Sequence, residues 1–221
     1  MPATDEQKAL GSLIAQLHSR ALRALKDVGR EDWRRQLLSS RGDLVSFDLS
    51  RSSDKAVEEE VLGIITEDNK CSRFYVVIPE ERANKSSWLA LARIVVRSNH
   101  DGDKSINLEL VLLTSTSEPL GIGYRFENPE GKETTHNFYH AQPIRKLKGA
   151  GATADEINIP GTPTWYPDTF PSFPIPASDY LDLVLYGAHV ACGRQRIEEL
   201  TRPGGNDLVR DRAARLLEHF G

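Results

Sequence analysis

The residues whose types and spacing best fit chemistry lie in the middle of the chain: His136, His140, Glu127 and Arg125. Two imidazoles and a carboxylate can bind a metal ion or move a proton if their side chains converge. The sequence places them on two predicted strands joined by a turn-rich stretch, so a hairpin brings Glu127 close to His136. These four residues are our candidate catalytic site. Their spacing is not diagnostic of a metal cluster, so we predict no metal and no other cofactor.

The alternation of residues along the same two strands indicates a structural role for the histidines. They flank Phe138 on one face, where Tyr124 and Phe126 are expected to pack, whereas Glu127 belongs with Arg125 to the opposite face. Histidines in such a setting are commonly half-buried and hydrogen-bonded. The pattern therefore favours two structural histidines over a hydrolytic site.

Three further patterns lack the structural context that their chemistry needs. Residues 149–154 match the Gly-x-Gly-x-x-Gly/Ala sequence motif of a dinucleotide-binding loop, but the buried parallel strand and the helix that must flank such a loop are not predicted here. Arg212 and His219 have a spacing that places both side chains on one helix face in some helical ribonucleases, but few helices flank them. Cys71 and Cys192 have no metal-ligand neighbour. We therefore predict that residues 149–154 form a loop, that Arg212 and His219 lie on a surface helix, and that both cysteine thiols are buried.

A segment between positions 160 and 176 interleaves prolines with the aromatic residues Trp165, Tyr166, Phe170 and Phe173. Proline fixes φ and removes a backbone donor, so the segment is predicted to be extended and to be neither helix nor central strand. It is either a strap that closes one edge of the core or a lid over a ligand or partner groove. We call it the proline–aromatic strap, and its four aromatic residues are a candidate binding surface.

A second candidate binding surface is a basic stripe on the first predicted helix, formed by Arg20, Arg23, Arg30 and Arg34. Such a stripe could contact phosphates or an acidic partner while the apolar face of the helix docks. Acidic residues between these arginines dilute the positive charge. An ordinary solvated helix face is therefore the favoured interpretation.

The clearest local prediction is a β-hairpin that turns at residues 100–102. The register that sets Ile94 opposite Leu108 makes one face uniformly apolar, whereas a slip by one residue would pair apolar with polar side chains. The same register sets Arg93 opposite Glu109 on the other face. We therefore predict an ion pair between these two residues.

The remaining elements follow from periodicity and from helix and strand breakers. Apolar residues at three- and four-residue steps predict a helix over residues 5–39 and two helices after Ser178, which is the expected N-cap of the first of these. Residues 146–159 are predicted to be a mobile loop. Strands are predicted at residues 44–49, 61–66, 73–78, 88–97, 106–113, 122–127 and 136–140.

These elements predict an α+β fold: an antiparallel β-sheet of about five to six strands with an N-terminal helix and two C-terminal helices. We expect one domain, in which an N-terminal amphipathic helical segment, residues 1–40, precedes an α+β body, residues 41–221.

Composition excludes several classes of protein. The chain has 28 basic and 32 acidic residues and a net charge of −4, which argues against nucleic-acid binding driven by bulk charge. No apolar run approaches the roughly 20 residues of a membrane-spanning helix, and the first residues lack the pattern of a signal peptide. We therefore predict a cytoplasmic protein with no membrane association.

The same sequence lacks a nucleophile elbow, a phosphate-binding loop and a diagnostic metal motif. It therefore predicts a non-catalytic interaction or ligand-binding subunit of a multi-protein system, with another protein as its partner. Two alternatives remain open. One is a small hydrolase or nuclease that uses His136 and His140, and the other is a nucleic-acid-binding module that uses the basic stripe.

Overall fold

The computed structural model of the chain describes residues 3–26, 53–66, 75–77, 88–98, 104–114, 121–129, 138–148, 156–159, 161–162 and 172–220. The helices are α1 (Asp5–Lys26), α2 (Asp54–Thr66), α3 (Tyr180–Cys192), α4 (Arg194–Leu200) and α5 (Asp207–His219). The strands are β1 (Tyr75–Val76), β2 (Trp88–Ser98), β3 (Lys104–Thr114), β4 (Gly121–Glu127), β5 (His140–Ile144), β6 (Lys146–Lys148), β7 (Glu156–Asn158) and β8 (Phe173–Pro174).

The main sheet has six antiparallel strands in the order β1-β2-β3-β4-β5-β8, and β6 pairs with β7 in a separate two-stranded ribbon. The predicted α+β fold is confirmed, with an N-terminal helix and two long C-terminal helices joined by the short helix α4. The predicted β2–β3 register is also confirmed, because Ile94 lies opposite Leu108 and Arg93 lies opposite Glu109. Among the described helices, none is both long and apolar enough to cross a bilayer.

One face of the sheet forms the main core. Ile94, Leu108 and Phe126 are almost fully buried there, against residues of helices α1 to α3. The approach of α3 is close, since a Cβ atom at Gly187 would collide with the Leu108 side chain. Packing therefore requires a glycine at this helix position despite its low helix propensity.

Helix α1 is central to this core. It begins with a capping box, in which the Gln7 amide donates to the Thr4 hydroxyl and the Thr4 amide donates to the Gln7 side chain. Leu10 and Leu13 are fully buried, and helices α2, α3 and α5 contact α1 in addition to β1. The apolar face of α1 is thus used within the chain. The predicted continuation of this helix beyond Lys26 lies outside the described residues.

The predicted strand at residues 61–66 is wrong, because these residues form the second half of α2. Ser53 caps this helix, with its hydroxyl accepting from the Ala56 amide. Val57, Val61 and Ile65 are buried at four-residue spacing, which is a helical period. The apolar run at residues 61–66 suggested a strand, whereas these residues pack as a helix against α1.

Two smaller predictions are also corrected. The N-cap of α3 is Asp179, whose carboxylate accepts from two amides of the first turn, and not Ser178. The ends of the predicted loop at residues 146–159 pair as β6 and β7, and Leu147 in β6 and Ile159 just after β7 are buried. The predicted strand at residues 44–49 and the loop at residues 149–154 lie outside the described residues.

Candidate functional site

The second face of the main sheet carries a buried row of charged side chains that runs across three strands. Glu109 on β3 lies between Arg93 on β2 and Arg125 on β4 in the strand register. Its carboxylate is 2.5 Å from Arg93 Nη2 and 3.3 Å from Arg125 Nε. Glu109 is 1% exposed, so water does not screen these contacts. The predicted Arg93–Glu109 ion pair is confirmed, and we call the three residues the sheet cluster.

Glu127 and His140, two of the predicted catalytic residues, lie beside the sheet cluster. Glu127 Oε1 is 3.7 Å from Arg125 Nη1 and from Arg97 Nη1. Glu127 Oε2 is 3.4 Å from His140 Nε2, and His140 Nδ1 is 3.0 Å from the carbonyl oxygen of Phe138. The imidazole is thus held between a carboxylate and a carbonyl.

The predicted pairing of this hairpin is wrong. The strand begins at His140 and does not end there, so Glu127 lies opposite His140. His140 therefore shares the face of Glu127 and Arg125, and Phe126 lies on the other face. His136 lies outside the described residues. The long connection between the strands does not fix their register, and the register predicted from the sequence was therefore wrong.

The chemistry open to this group is limited by its burial. An imidazole next to a carboxylate is a proton-transfer arrangement. His140, however, is 0% exposed and Glu127 is 7% exposed. A substrate cannot reach the imidazole in this conformation. Among the described residues, no three His, Cys, Asp or Glu side chains group to hold a metal ion.

Cys192 is another potential reactive group in the interior. The thiol is fully buried, and burial raises its pKa to about 12. A thiol that stays protonated is a poor nucleophile. Cys192 is therefore a small apolar core residue, as predicted, whereas Cys71 lies outside the described residues.

The structure describes one of the four aromatic residues of the proline–aromatic strap. Phe173 lies in β8, the edge strand next to β5, and is 56% exposed. The described residues Phe173 and Pro174 are extended, and Pro174 pairs opposite His140. Trp165, Tyr166 and Phe170 lie outside the described residues.

The basic stripe is partly engaged inside the molecule. Arg20 Nη1 and Arg196 Nη1 are both 2.5 Å from Glu199 Oε2, which ties α1 to α4. Arg23 is exposed. Arg30 and Arg34 lie outside the described residues.

Sequence reasoning missed a second ionic group, in which Arg212 of α5 contacts two aspartates of the α3 N-terminus. Arg212 Nη2 is 2.5 Å from Asp179 Oδ2, and Arg212 Nη1 donates to Ser178 and to both oxygens of Asp182. We call Arg212, Asp179 and Asp182 the helix cluster. The N-cap position of Asp179 was the available signal, but no sequence pattern pairs it with a residue 33 positions away.

A groove of about 190 Å³ opens beside the helix cluster, between α3 and α5. Its lining residues are Pro176, Asp182, Leu185, Tyr186, Arg212, Arg215, Leu216 and His219. Burial and then the Asp182 carboxylate raise the pKa of Tyr186, so its hydroxyl stays protonated. The structure thus brings together Arg212 and His219, two residues that we expected on a plain surface helix.

An aromatic group follows at the end of the same two helices. The Phe220 ring stacks on His189 with centroids 4.7 Å apart and meets Tyr186 edge-on. Burial, and to a smaller degree the Arg194 guanidinium, lowers the pKa of His189.

Comparison of the chain with protein-family models, with curated proteins and with solved structures found no match.

Proposed function

We propose that this chain is a non-catalytic interaction subunit of a cytoplasmic multi-protein system, and that it contacts its partner protein at the edge of its sheet. The observation that carries the proposal is the exposure of Phe173, which is 56% exposed on the edge strand β8. Large aromatic side chains are enriched at protein interfaces because they bury much area with little loss of conformational freedom.

The chemistry of the edge indicates how such a partner would be recognised. Pro174 and Pro176 have no backbone N–H group, so this edge is a poor template for adding a further strand. Recognition would then depend on side chains, with Phe173 as the anchor. Helix α1, the other element that we considered for docking, has its apolar residues Leu10 and Leu13 buried within the chain.

The experiment compares three forms of the tagged protein purified from its own host: the unmodified chain, Phe173→Ser and Val190→Ser. Val190 is a matched control because it is 49% exposed and lies on α3, outside the strap sequence. We expect a stoichiometric partner protein with the unmodified chain and with Val190→Ser, and its loss with Phe173→Ser. Melting temperatures should agree, since both changes are at the surface. A partner retained by Phe173→Ser, or no partner at all, would contradict the proposal.

A second candidate is the hydrolase that uses His140 with Glu127 and Arg125. The contact of 3.4 Å between His140 Nε2 and Glu127 Oε2 favours it, and the full burial of His140 opposes it. The variants His136→Gln and His140→Gln separate the two functions. Loss of hydrolysis of a model phosphodiester with an unchanged melting temperature would support the enzyme, and loss of stability alone would identify structural histidines.

A further inference from the structure

The groove between α3 and α5 has the size of a site for a small group. Its volume of about 190 Å³ lies below the roughly 300–1,000 Å³ of sites that enclose drug-sized ligands. Leu185, Tyr186 and Leu216 are buried and supply apolar walls. The groove can therefore enclose one ring or short chain.

Arg212 enters the lining of this groove in a fixed orientation. Asp179 and Asp182 bind its two terminal nitrogens, at 2.5 Å and 3.1 Å. Its Nε atom is buried and has no hydrogen-bond partner among the residues that the structure describes. The two carboxylates thus fix the orientation of the guanidinium at the wall of the groove.

Two further donors follow Arg212 on the same side of α5. Arg215 and His219 lie one and two turns further along the helix, and both line the groove. Both are exposed, and within the described part of the chain neither forms an ion pair. The groove therefore combines donors on one helix with apolar walls from both.

We propose that this groove binds a small organic anion, in which an apolar ring or chain contacts Tyr186 and Leu216 and one phosphate or carboxylate group accepts from Arg215 and His219. A polyanion such as nucleic acid fits less well. Asp182 also lines the groove, where it pairs with Arg212, so a chain of phosphates would meet this carboxylate beside the donors.

The test is isothermal titration calorimetry with three probes: phenyl phosphate, hydrocinnamate and the uncharged hydrocinnamide. We expect the unmodified protein to bind at least one of the two anions and to bind the amide more weakly. Arg215→Gln should weaken anion binding roughly fivefold to tenfold, as for the loss of one charge-assisted contact at an exposed site. The matched control is Arg210→Gln, because Arg210 lies on the same helix, pairs with Asp207 and does not line the groove.

The anion that binds shows whether the groove accepts a phosphate or a carboxylate group. Binding of either anion supports the proposal. Three results would overturn it: no binding of either anion, equal affinity for hydrocinnamide, or unchanged affinity in Arg215→Gln. Equal weakening by Arg210→Gln would also overturn it, since the effect would then be general surface charge. Phe173 does not line this groove, so the outcome is independent of the partner experiment at the sheet edge.

Discussion

The sheet cluster and the helix cluster both combine carboxylates with guanidinium groups, but in opposite numbers. In the sheet cluster one carboxylate, Glu109, lies between two arginines, and the side chains of Glu109, Arg93 and Arg125 are 1%, 6% and 15% exposed. In the helix cluster one arginine, Arg212, lies between two aspartates, and these three side chains are 13% to 20% exposed. The Arg93–Glu109 pair of the sheet cluster therefore has less access to water than the ion pairs of the helix cluster.

That difference determines what each cluster does for the molecule. A charge in the sheet interior has lost its hydration, so its ionic partner becomes a requirement of the fold. At the helix cluster, water can solvate a charge that loses its partner, and the ion pairs contribute little to stability. We infer that the sheet cluster fixes strand pairing, whereas the helix cluster mainly orients Arg212.

The largest effect is expected from breaking the sheet cluster with Glu109→Ala. This change leaves the buried guanidinium of Arg93 without the Glu109 carboxylate, and Arg125 keeps its longer contact with Glu127. We expect the free energy of unfolding to fall by about 3–5 kcal/mol, measured by urea denaturation. The control is Glu198→Gln, which removes an exposed partner of Arg194 and should change stability by less than about 0.5 kcal/mol. A loss below about 1 kcal/mol for Glu109→Ala would show that this pair is not structural.

The two clusters also differ in how far the sequence predicts them. Arg93 and Glu109 lie in one hairpin, where the two-residue period of a strand and a uniform apolar face leave a single acceptable register. The Glu127–His140 contact crosses a longer connection, which allows several registers, and the predicted one was wrong. The helix cluster joins side chains of separate helices, and only packing of α5 on α3 brings them together.

A smaller effect is expected from Asp179→Ala, which removes the N-cap of α3 and one partner of Arg212 together. We expect a loss of about 1–2 kcal/mol in urea denaturation. Asn206→Ala is the matched control because the Asn206 side chain caps α5 with the same two hydrogen bonds and forms no ion pair. The excess loss in Asp179→Ala measures the ion pair, and we expect it to stay below about 1 kcal/mol. An excess of 3 kcal/mol or more, the range of a buried pair, would remove the distinction between the two clusters.

The effect of salt on stability should also differ between variants of the two clusters. Arg212→Met is expected to lower the free energy of unfolding by at most about 1 kcal/mol at low ionic strength, and by less in about 1 M sodium chloride, where charges are screened over about 3 Å. The effect of Glu109→Ala should be nearly the same in both solutions, because buried pairs are screened much less. Urea denaturation of both variants at the two salt concentrations checks this. Equal salt dependence would contradict the assignment of one cluster to the interior and the other to the surface.

The smallest effect is expected at His189, near the far end of the helix pair that carries the helix cluster. Burial and the Arg194 guanidinium lower its pKa from the ordinary value of 6.5. Just below pH 6.5 the unfolded chain therefore binds more protons than the folded protein, and the free energy of unfolding falls as the pH is lowered through this range. Replacing His189 by Gln removes this contribution, so the stability difference between the unmodified protein and His189→Gln should shrink as the pH falls from about 7 to 5. Urea denaturation across this range measures it, and a difference that grows on acidification would mean that the folded protein favours the charged imidazole.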